Sequence, residues 1–149
     1  VSDEGPNHPD GLPAYGAAFV TQGYIYPAGT ITCVNNECNG VNPDGSPEFP
    51  DLVMGEWTCW GYLVGDGAHT LTGPIVVTNQ LFNFGEEFGN VTLTTTGYEL
   101  ADFDTPFRRA ITGGTGPFAK AGGEMVQTAL GFDQDPFGLS ARFEIDVED

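Results

Sequence analysis

The chain has 149 residues, which is enough for one well-buried core and too few for two ordinary domains. Its 21 acidic residues outnumber 4 basic ones and give a formal net charge of −17, which excludes nucleic acid as a partner and disfavours anionic membrane surfaces. No stretch reaches the roughly 18 apolar residues of a membrane helix, so no membrane insertion is expected. The acidity fits solubility or a high-salt habitat better than a cation-binding role.

The N-terminal region predicts an arm followed by a strand. Residues 1–16 are rich in proline, glycine and acidic residues, and they predict an extended arm without a core of its own. One β domain is expected to cover residues 17–149. Its first predicted strand, residues 17–26, places Tyr24 and Tyr26 on one face and a more apolar set of side chains on the other.

The three cysteines are expected to divide into one disulfide and one free thiol. Cys33 and Cys38 bracket Val-Asn-Asn-Glu in a long predicted loop, residues 33–52, and such a turn-forming stretch allows a local disulfide. Cys59 lies within a predicted strand and is expected to be buried and reduced. Structural zinc needs about four ligands, and the two distant histidines do not complete a set, so no metal is predicted. A disulfide implies an oxidising compartment and therefore a secreted protein.

Six further segments have the alternation or the β propensity of strands, and no segment has a sustained helical period. The Gly73-Pro74 step predicts a bulge within one of them, and a split in the first or the third strand is expected to supply an eighth. The fold class is therefore all-β. The six segments cover residues 53–64, 70–84, 90–96, 107–112, 120–130 and 139–147.

A glycine-rich segment carries the most specific motif of the chain. Residues 111–124 read Ile-Thr-Gly-Gly-Thr-Gly-Pro-Phe-Ala-Lys-Ala-Gly-Gly-Glu, with Phe118 two residues after Gly-Gly-Thr-Gly and Ala121 opening Ala-Gly-Gly. This segment resembles the signature of allene oxide cyclases and dirigent proteins. The resemblance implies a single antiparallel eight-stranded barrel with an interior pocket, commonly a trimer. The sequence around Glu99 or Arg109 does not match the pattern around the catalytic residues of that family. The resemblance therefore extends to the fold alone.

Strand alternation also selects candidate ligand-binding residues. Trp57 and Cys59 share an uncharged face and serve either as core residues or as ligand contacts. Arg109 is expected to face inward and to pair with Glu99 or Glu124, either in a pocket, where the pair would steady an oxyanion, or at the rim as a salt bridge. The full set of candidates is Tyr24, Tyr26, Trp57, Cys59, Gln80, Glu99, Arg109 and Gln127.

Three functions fit these features. The first is a secreted dirigent- or cyclase-like barrel that binds a small apolar ligand and steers its cyclisation or isomerisation without a triad, a metal or a cofactor. The second is the same barrel as a binding module without chemistry. The third is a structural subunit of an extracellular assembly, joined through the arm of residues 1–16. The outward-facing Trp60 and Tyr62 favour a homo-oligomer, a trimer or larger, whose association rises with salt.

Overall fold

A computed structural model describes residues 6–133 and 138–146 of the chain. Their regular structure consists of strands and three short 3₁₀ turns, and among these residues no helix is long and apolar enough to cross a membrane. Seven strands are long and two have only two residues. The strands are β1 (Ala18–Ile25), β2 (Cys33–Val34), β3 (Glu37–Cys38), β4 (Gly55–Leu63), β5 (Pro74–Phe84), β6 (Thr92–Leu100), β7 (Phe107–Thr115), β8 (Glu124–Phe132) and β9 (Leu139–Ile145).

All nine strands belong to one sheet. The long strands lie in the order β1-β4-β5-β6-β7-β8-β9, and each is antiparallel to its neighbours. The short β3 joins β8 through a single parallel bridge between Glu37 and Phe132. Within the described residues no ladder joins β1 to β9, so the sheet curves without closing. The all-β class is confirmed, whereas closure into an eight-stranded barrel is not seen in this part of the chain.

The predicted eighth strand does not arise by a split. The first strand is continuous, and β5 begins at Pro74, so the Gly73-Pro74 step marks the start of a strand instead of a bend within it. An irregularity in the pairing with β6 follows directly, between Pro74 and Val76. Proline lacks the N–H that a ladder requires, and it is therefore confined to strand ends or irregular positions. The two additional strands, β2 and β3, come from the long loop.

The glycine motif begins inside β7 and continues beyond it to the start of β8. Gly113 has a φ of 145°, next to a shift in the pairing register with β6. Gly114 is required for close approach, since a Cβ there would lie 2.3 Å from the carbonyl oxygen of Thr92. Phe118, just beyond the strand, packs against Phe84 with the ring centres 5.8 Å apart. The first part of the motif is therefore a bulged strand end, and Phe118 beyond it is an aromatic anchor.

The apolar core lies between the inward faces of the curved sheet. Its fully buried members are Phe82, Leu93, Ile111 and Met125. Phe143 of β9 reaches the ring of Phe82 at 4.9 Å in an edge-to-face contact. Side chains of the last strand thus pack against the middle of the sheet, although the backbone edges of β1 and β9 stay unpaired in the described residues.

The described part of the N-terminal arm, residues 6–16, folds back onto its own chain. The rings of His8 and His69 stack with their centres 3.9 Å apart, and His69 Nε2 lies 2.6 Å from a carboxylate oxygen of Asp10. These contacts hold the arm against the turn that follows β4. Residues 6–16 therefore contact the body of the chain, and the role of the arm in joining subunits stays a prediction.

Candidate functional site

Seven polar side chains lie together on the inward faces of β4 to β8, and each has less than a tenth of its surface exposed. We call them the polar cluster. The strand register brings them together, because Cys59 lies opposite Gln80 and Gln80 lies opposite Thr95 on three neighbouring strands. Alternation then keeps all seven on the same side of the sheet. The polar cluster consists of Cys59, Thr78, Gln80, Thr95, Glu99, Arg109 and Gln127.

Glu99 is the acceptor at the centre of the polar cluster. The Thr78 hydroxyl donates to Oε2 at 2.7 Å, and the Cys59 thiol donates to the same oxygen at 3.4 Å. The amides of Gln127 and Gln80 donate to Oε1 at 2.6 and 3.2 Å. Both carboxylate oxygens therefore have two donors each. A buried carboxylate with its acceptor sites filled in this way is suited to holding strands together.

Arg109 spans the other side of the polar cluster, and only 2% of its surface is exposed. Its guanidinium uses backbone carbonyls as its main acceptors, and the Thr95 hydroxyl accepts from Nε at 3.2 Å. This arrangement satisfies the fixed fork of donors without a direct carboxylate contact. The carbonyl acceptors are those of Thr78 at 3.1 Å, Gly97 at 3.1 Å and Tyr98 at 3.3 Å.

The expected ion pair of Arg109 is wrong in its detail. Among the described residues no carboxylate lies within salt-bridge distance of Arg109, and Glu124 instead pairs with the exposed Arg108 at 3.2 Å. Burial lowers the pKa of Arg109, and the charge of Glu99 opposes that shift from within the same cluster. The strand register explains why Arg109 has no carboxylate partner. It places the backbone carbonyls of β5 and β6 within hydrogen-bond distance of the guanidinium.

Cys59 is a buried free thiol, as predicted. Burial is the main cause that raises its pKa far above the usual value, and the charge of Glu99 adds to the effect. A thiol held in its protonated form is a weak nucleophile. Cys59 is therefore poorly suited to act as a nucleophile. In its buried position it donates a hydrogen bond to Glu99.

A second region, which we call the seam cleft, lies between the edges of β1 and β9. It encloses about 430 Å³ and extends from the interior of the sheet to the loop after β1. Both edges contribute to its walls, and aromatic and aliphatic side chains form its floor. The principal floor residues are Ile25, Trp57, Phe82, Phe84, Phe143 and Ile145.

The polar residues that line the seam cleft, apart from its two tyrosines, are Thr21, Gln22, Asn39, Asp133, Ser140 and Arg142. The two tyrosines already have hydrogen-bond partners. The Tyr26 hydroxyl donates to the Gly40 carbonyl at 2.6 Å, and the Tyr24 hydroxyl donates to the Gly45 carbonyl at 2.7 Å. Desolvation raises the pKa of Tyr26, so this hydroxyl stays neutral at physiological pH. Trp57 contributes its ring to the floor, while its buried Nε1 has no hydrogen-bond partner among the described residues.

The structure divides the eight predicted site residues into two groups. Tyr24, Tyr26 and Trp57 line the seam cleft. The others belong to the polar cluster, and no member of that cluster lines the cleft. The sequence thus identified inward-facing residues of both regions without separating them. The group in the polar cluster is Cys59, Gln80, Glu99, Arg109 and Gln127.

Two groups of residues that line the seam cleft were not predicted from the sequence. Phe143 and Ile145 of β9 supply floor residues, and their alternation with Arg142 and Glu144 is a signal that could have identified them. Gly23 leaves open space on β1, since a Cβ there would meet only the Trp57 ring at 3.6 Å. A glycine inside a strand often marks a position where another group, here the Trp57 ring, lies close to the backbone.

The long loop forms one flank of the seam cleft. Cys33 and Cys38 are joined by a disulfide, as predicted, and they pair directly across β2 and β3. Ile31 and Val41, on either side of this bridge, line the cleft. The disulfide therefore ties together a wall of the candidate site.

An uncharged apolar surface lies on the outside of β4 to β6. Trp60, Tyr62 and Tyr98 are 40, 57 and 57% exposed, and Val77 lies between the two tyrosines in the register. The outward direction predicted for Trp60 and Tyr62 is therefore seen. The homo-oligomer that they were expected to support stays a prediction.

Comparisons with protein-family models, curated proteins and solved structures found no match to this chain. The resemblance to allene oxide cyclases and dirigent proteins therefore rests on the glycine motif and stays a prediction. No group of three or more metal-ligating side chains is assembled within residues 6–133 and 138–146. The function must be argued from the geometry of the two regions.

Proposed function

We propose that the protein is a binding module that holds an apolar ligand in the seam cleft. The observation that carries this proposal is the cleft of about 430 Å³, walled by aromatic rings and open between two strand edges. Ligand sites typically measure about 300–1,000 Å³ and combine apolar walls with few polar groups. The seam cleft has a volume in this range and apolar walls, and its polar elements include the side chains of Gln22, Ser140 and Arg142.

We rank binding ahead of a cyclase or isomerase activity because the chemically capable groups lie elsewhere. Glu99 and Cys59 are buried in the polar cluster, and each already has its hydrogen-bond partners. A general acid or base must reach the proton that it transfers, within hydrogen-bond distance or through one water. An enzyme built on this cleft would have to steer its substrate by shape alone, which remains the alternative proposal.

We also propose an extracellular location. The Cys33–Cys38 disulfide is formed, and disulfides persist mainly in oxidising compartments. The net charge of −17 supports solubility in such a setting through mutual repulsion between chains. A thiol assay on protein taken from its native source tests the first point, and a reduced pair there would contradict it.

The cleft is tested by filling it from Gly23. The Gly23→Leu variant places a side chain in the cleft at a position where the nearest obstacle is the Trp57 ring, 3.6 Å from the new Cβ. We expect the affinity for Nile red, a neutral apolar dye, to fall at least tenfold in fluorescence titrations. The matched control is Val20→Leu, which enlarges an outward-facing, 69% exposed side chain of the same strand and should leave the affinity unchanged. Equal affinity of all three proteins would refute the proposal.

A further inference from the structure

The two edges that border the seam cleft run in the same direction. Six successive antiparallel pairings separate β1 from β9, and an even number of reversals returns the chain to its starting direction. Direct closure of the sheet would therefore require a parallel ladder, which is the slightly less stable kind. A single additional strand that runs the opposite way would be antiparallel to both edges at once.

Neither of the two edges that border the cleft has a second strand partner within the described residues. Within the described residues β1 pairs only with β4, and β9 pairs only with β8. Residues 21–25 of the first strand and 139–143 of the last line the same cavity. Backbone N–H and C=O groups at an unpaired edge are strong hydrogen-bonding groups and a template for another strand. The cavity thus has the donors and acceptors of two half-ladders along its sides and an apolar floor beneath.

We propose that the ligand of the seam cleft is an extended segment of another polypeptide, which enters as an additional strand between β1 and β9. This inference rests on the proposed function and names its ligand class. Side chains of the segment alternate between the two faces, so every second residue is apolar and packs on Trp57, Phe82 and Phe143. Strand addition of this kind takes its affinity from main-chain hydrogen bonds and its specificity from the alternate side chains.

The length of β9 and the net charge of the chain indicate the length and composition of the partner segment. β9 has seven residues, so a matching segment of about seven residues spans roughly 23 Å at about 3.3 Å per residue. The residues between the apolar ones face solvent on a protein of net charge −17. Basic side chains at those positions are therefore favoured, because long-range attraction steers a cationic segment toward an acidic surface. The expected partner sequence alternates apolar and basic residues.

The test uses a blocked heptapeptide in which valine alternates with lysine. The protein is the full chain with Trp60→Phe, so that Trp57 in the cleft floor is the only tryptophan of the original two. We expect the peptide to shift the Trp57 emission and to displace Nile red. Gly23→Leu should weaken the peptide at least tenfold, and Val20→Leu should not.

Two further peptides separate strand insertion from simple hydrophobic binding. In an inserted strand, successive N–H groups point to opposite edges, so methylating every second amide nitrogen blocks the pairing with one edge. Two peptides, methylated on the odd or on the even amides, should each bind at least tenfold more weakly than the parent. A peptide with the same composition in two blocks, valines then lysines, should also lose affinity because its side chains no longer alternate.

The outcomes distinguish this inference from the proposed function. Nile red binding that depends on Gly23, with no binding of the alternating peptide, would overturn the inference and leave the binding module standing. Absence of both would refute both. Methylated or block peptides that bind as tightly as the parent would show that the cleft takes apolar side chains without forming ladders, and this also overturns the inference. Weakening by only one methylation pattern would show addition to one edge, contrary to insertion between two.

Discussion

The polar cluster and the seam cleft occupy the same curved sheet, yet they use their side chains in opposite ways. In the polar cluster, charged and polar groups are buried and bonded to each other, as with the four donors that meet Glu99. In the seam cleft, apolar rings border open space, and the backbone edges of β1 and β9 have no ladder partner within the described residues. Groups that could perform chemistry are thus enclosed, while surfaces that can bind are open.

This difference teaches that a buried titratable residue is a weak indication of an active site. Arg109 and Cys59 have shifted pKa values, which often mark functional positions. Here burial is the main cause of both shifts, and the polar groups of the cluster have protein partners in place of a substrate. Among the described residues, two strand edges without a second partner and the unpaired Nε1 of Trp57 lie at the seam, and there we propose the function.

The largest effect is expected from removing the central acceptor of the polar cluster. Glu99→Ala would remove the acceptor that four donors share and leave the charge of Arg109 without compensation, so the free energy of unfolding should fall by about 3–5 kcal/mol. Urea denaturation followed by circular dichroism measures the loss. The control is Glu124→Ala, which removes only an exposed contact with Arg108 and should change little. Equal stability of the two variants would contradict a structural role for the cluster.

The disulfide should affect the cleft through its wall. Replacing Cys33 and Cys38 together by serine opens a loop of about six residues, and the chain-entropy relation gives a loss of about 2 kcal/mol. Because the loop flanks the cleft, Nile red should also bind more weakly, whereas Glu99→Gln should leave dye binding unchanged. Thiol titration of the denatured wild type should find one free thiol per chain. Three free thiols, or a bridge that involves Cys59, would refute the assignment.

The buried thiol of Cys59 should make the free energy of unfolding depend on pH in the alkaline range. Folding raises the pKa of Cys59, so above about pH 8.5 the unfolded chain releases this proton before the folded protein does. The stabilisation is therefore present below the pKa of the unfolded chain and is lost as the pH rises, by up to about 1.4 kcal/mol per pH unit. Cys59→Ser keeps a donor for Glu99 without this ionisation. Its unfolding free energy should decline less steeply from pH 8.5 to 10 than that of the wild type, and parallel curves would argue against burial of the thiol.

The smallest effect on stability is expected at the floor of the cleft. Trp57→Phe removes a buried N–H that has no partner among the described residues, so the usual penalty for a lost hydrogen bond is absent. The aromatic contact with Phe143 is retained in part, and we expect a change below about 1 kcal/mol. Nile red and the alternating peptide should nevertheless bind several-fold more weakly. A loss of stability as large as that of Glu99→Ala would remove the distinction between the two regions.

Local features were predictable from the sequence because short-range rules determine them. Alternation of side chains identified all seven long strands and placed Gln80 and Gln127 on inward faces. The bridge between Cys33 and Cys38 followed from the turn that they enclose, and the buried free thiol followed from its strand. In each case the relevant neighbours lie within a few positions along the chain, so the pattern of residues carries the information.

Longer-range features were decided only by the tertiary structure. Alternation shows that Arg109 faces inward, but the register between β6 and β7 gives it carbonyl partners in place of a carboxylate. The sequence likewise predicted a closed barrel, whereas β1 and β9 end side by side without a ladder in the described residues. Whether two edges meet depends on the accumulated twist and curvature of every strand between them. The sequence therefore determined the strands and their faces, and the tertiary structure decided that the sheet remains open along the cleft.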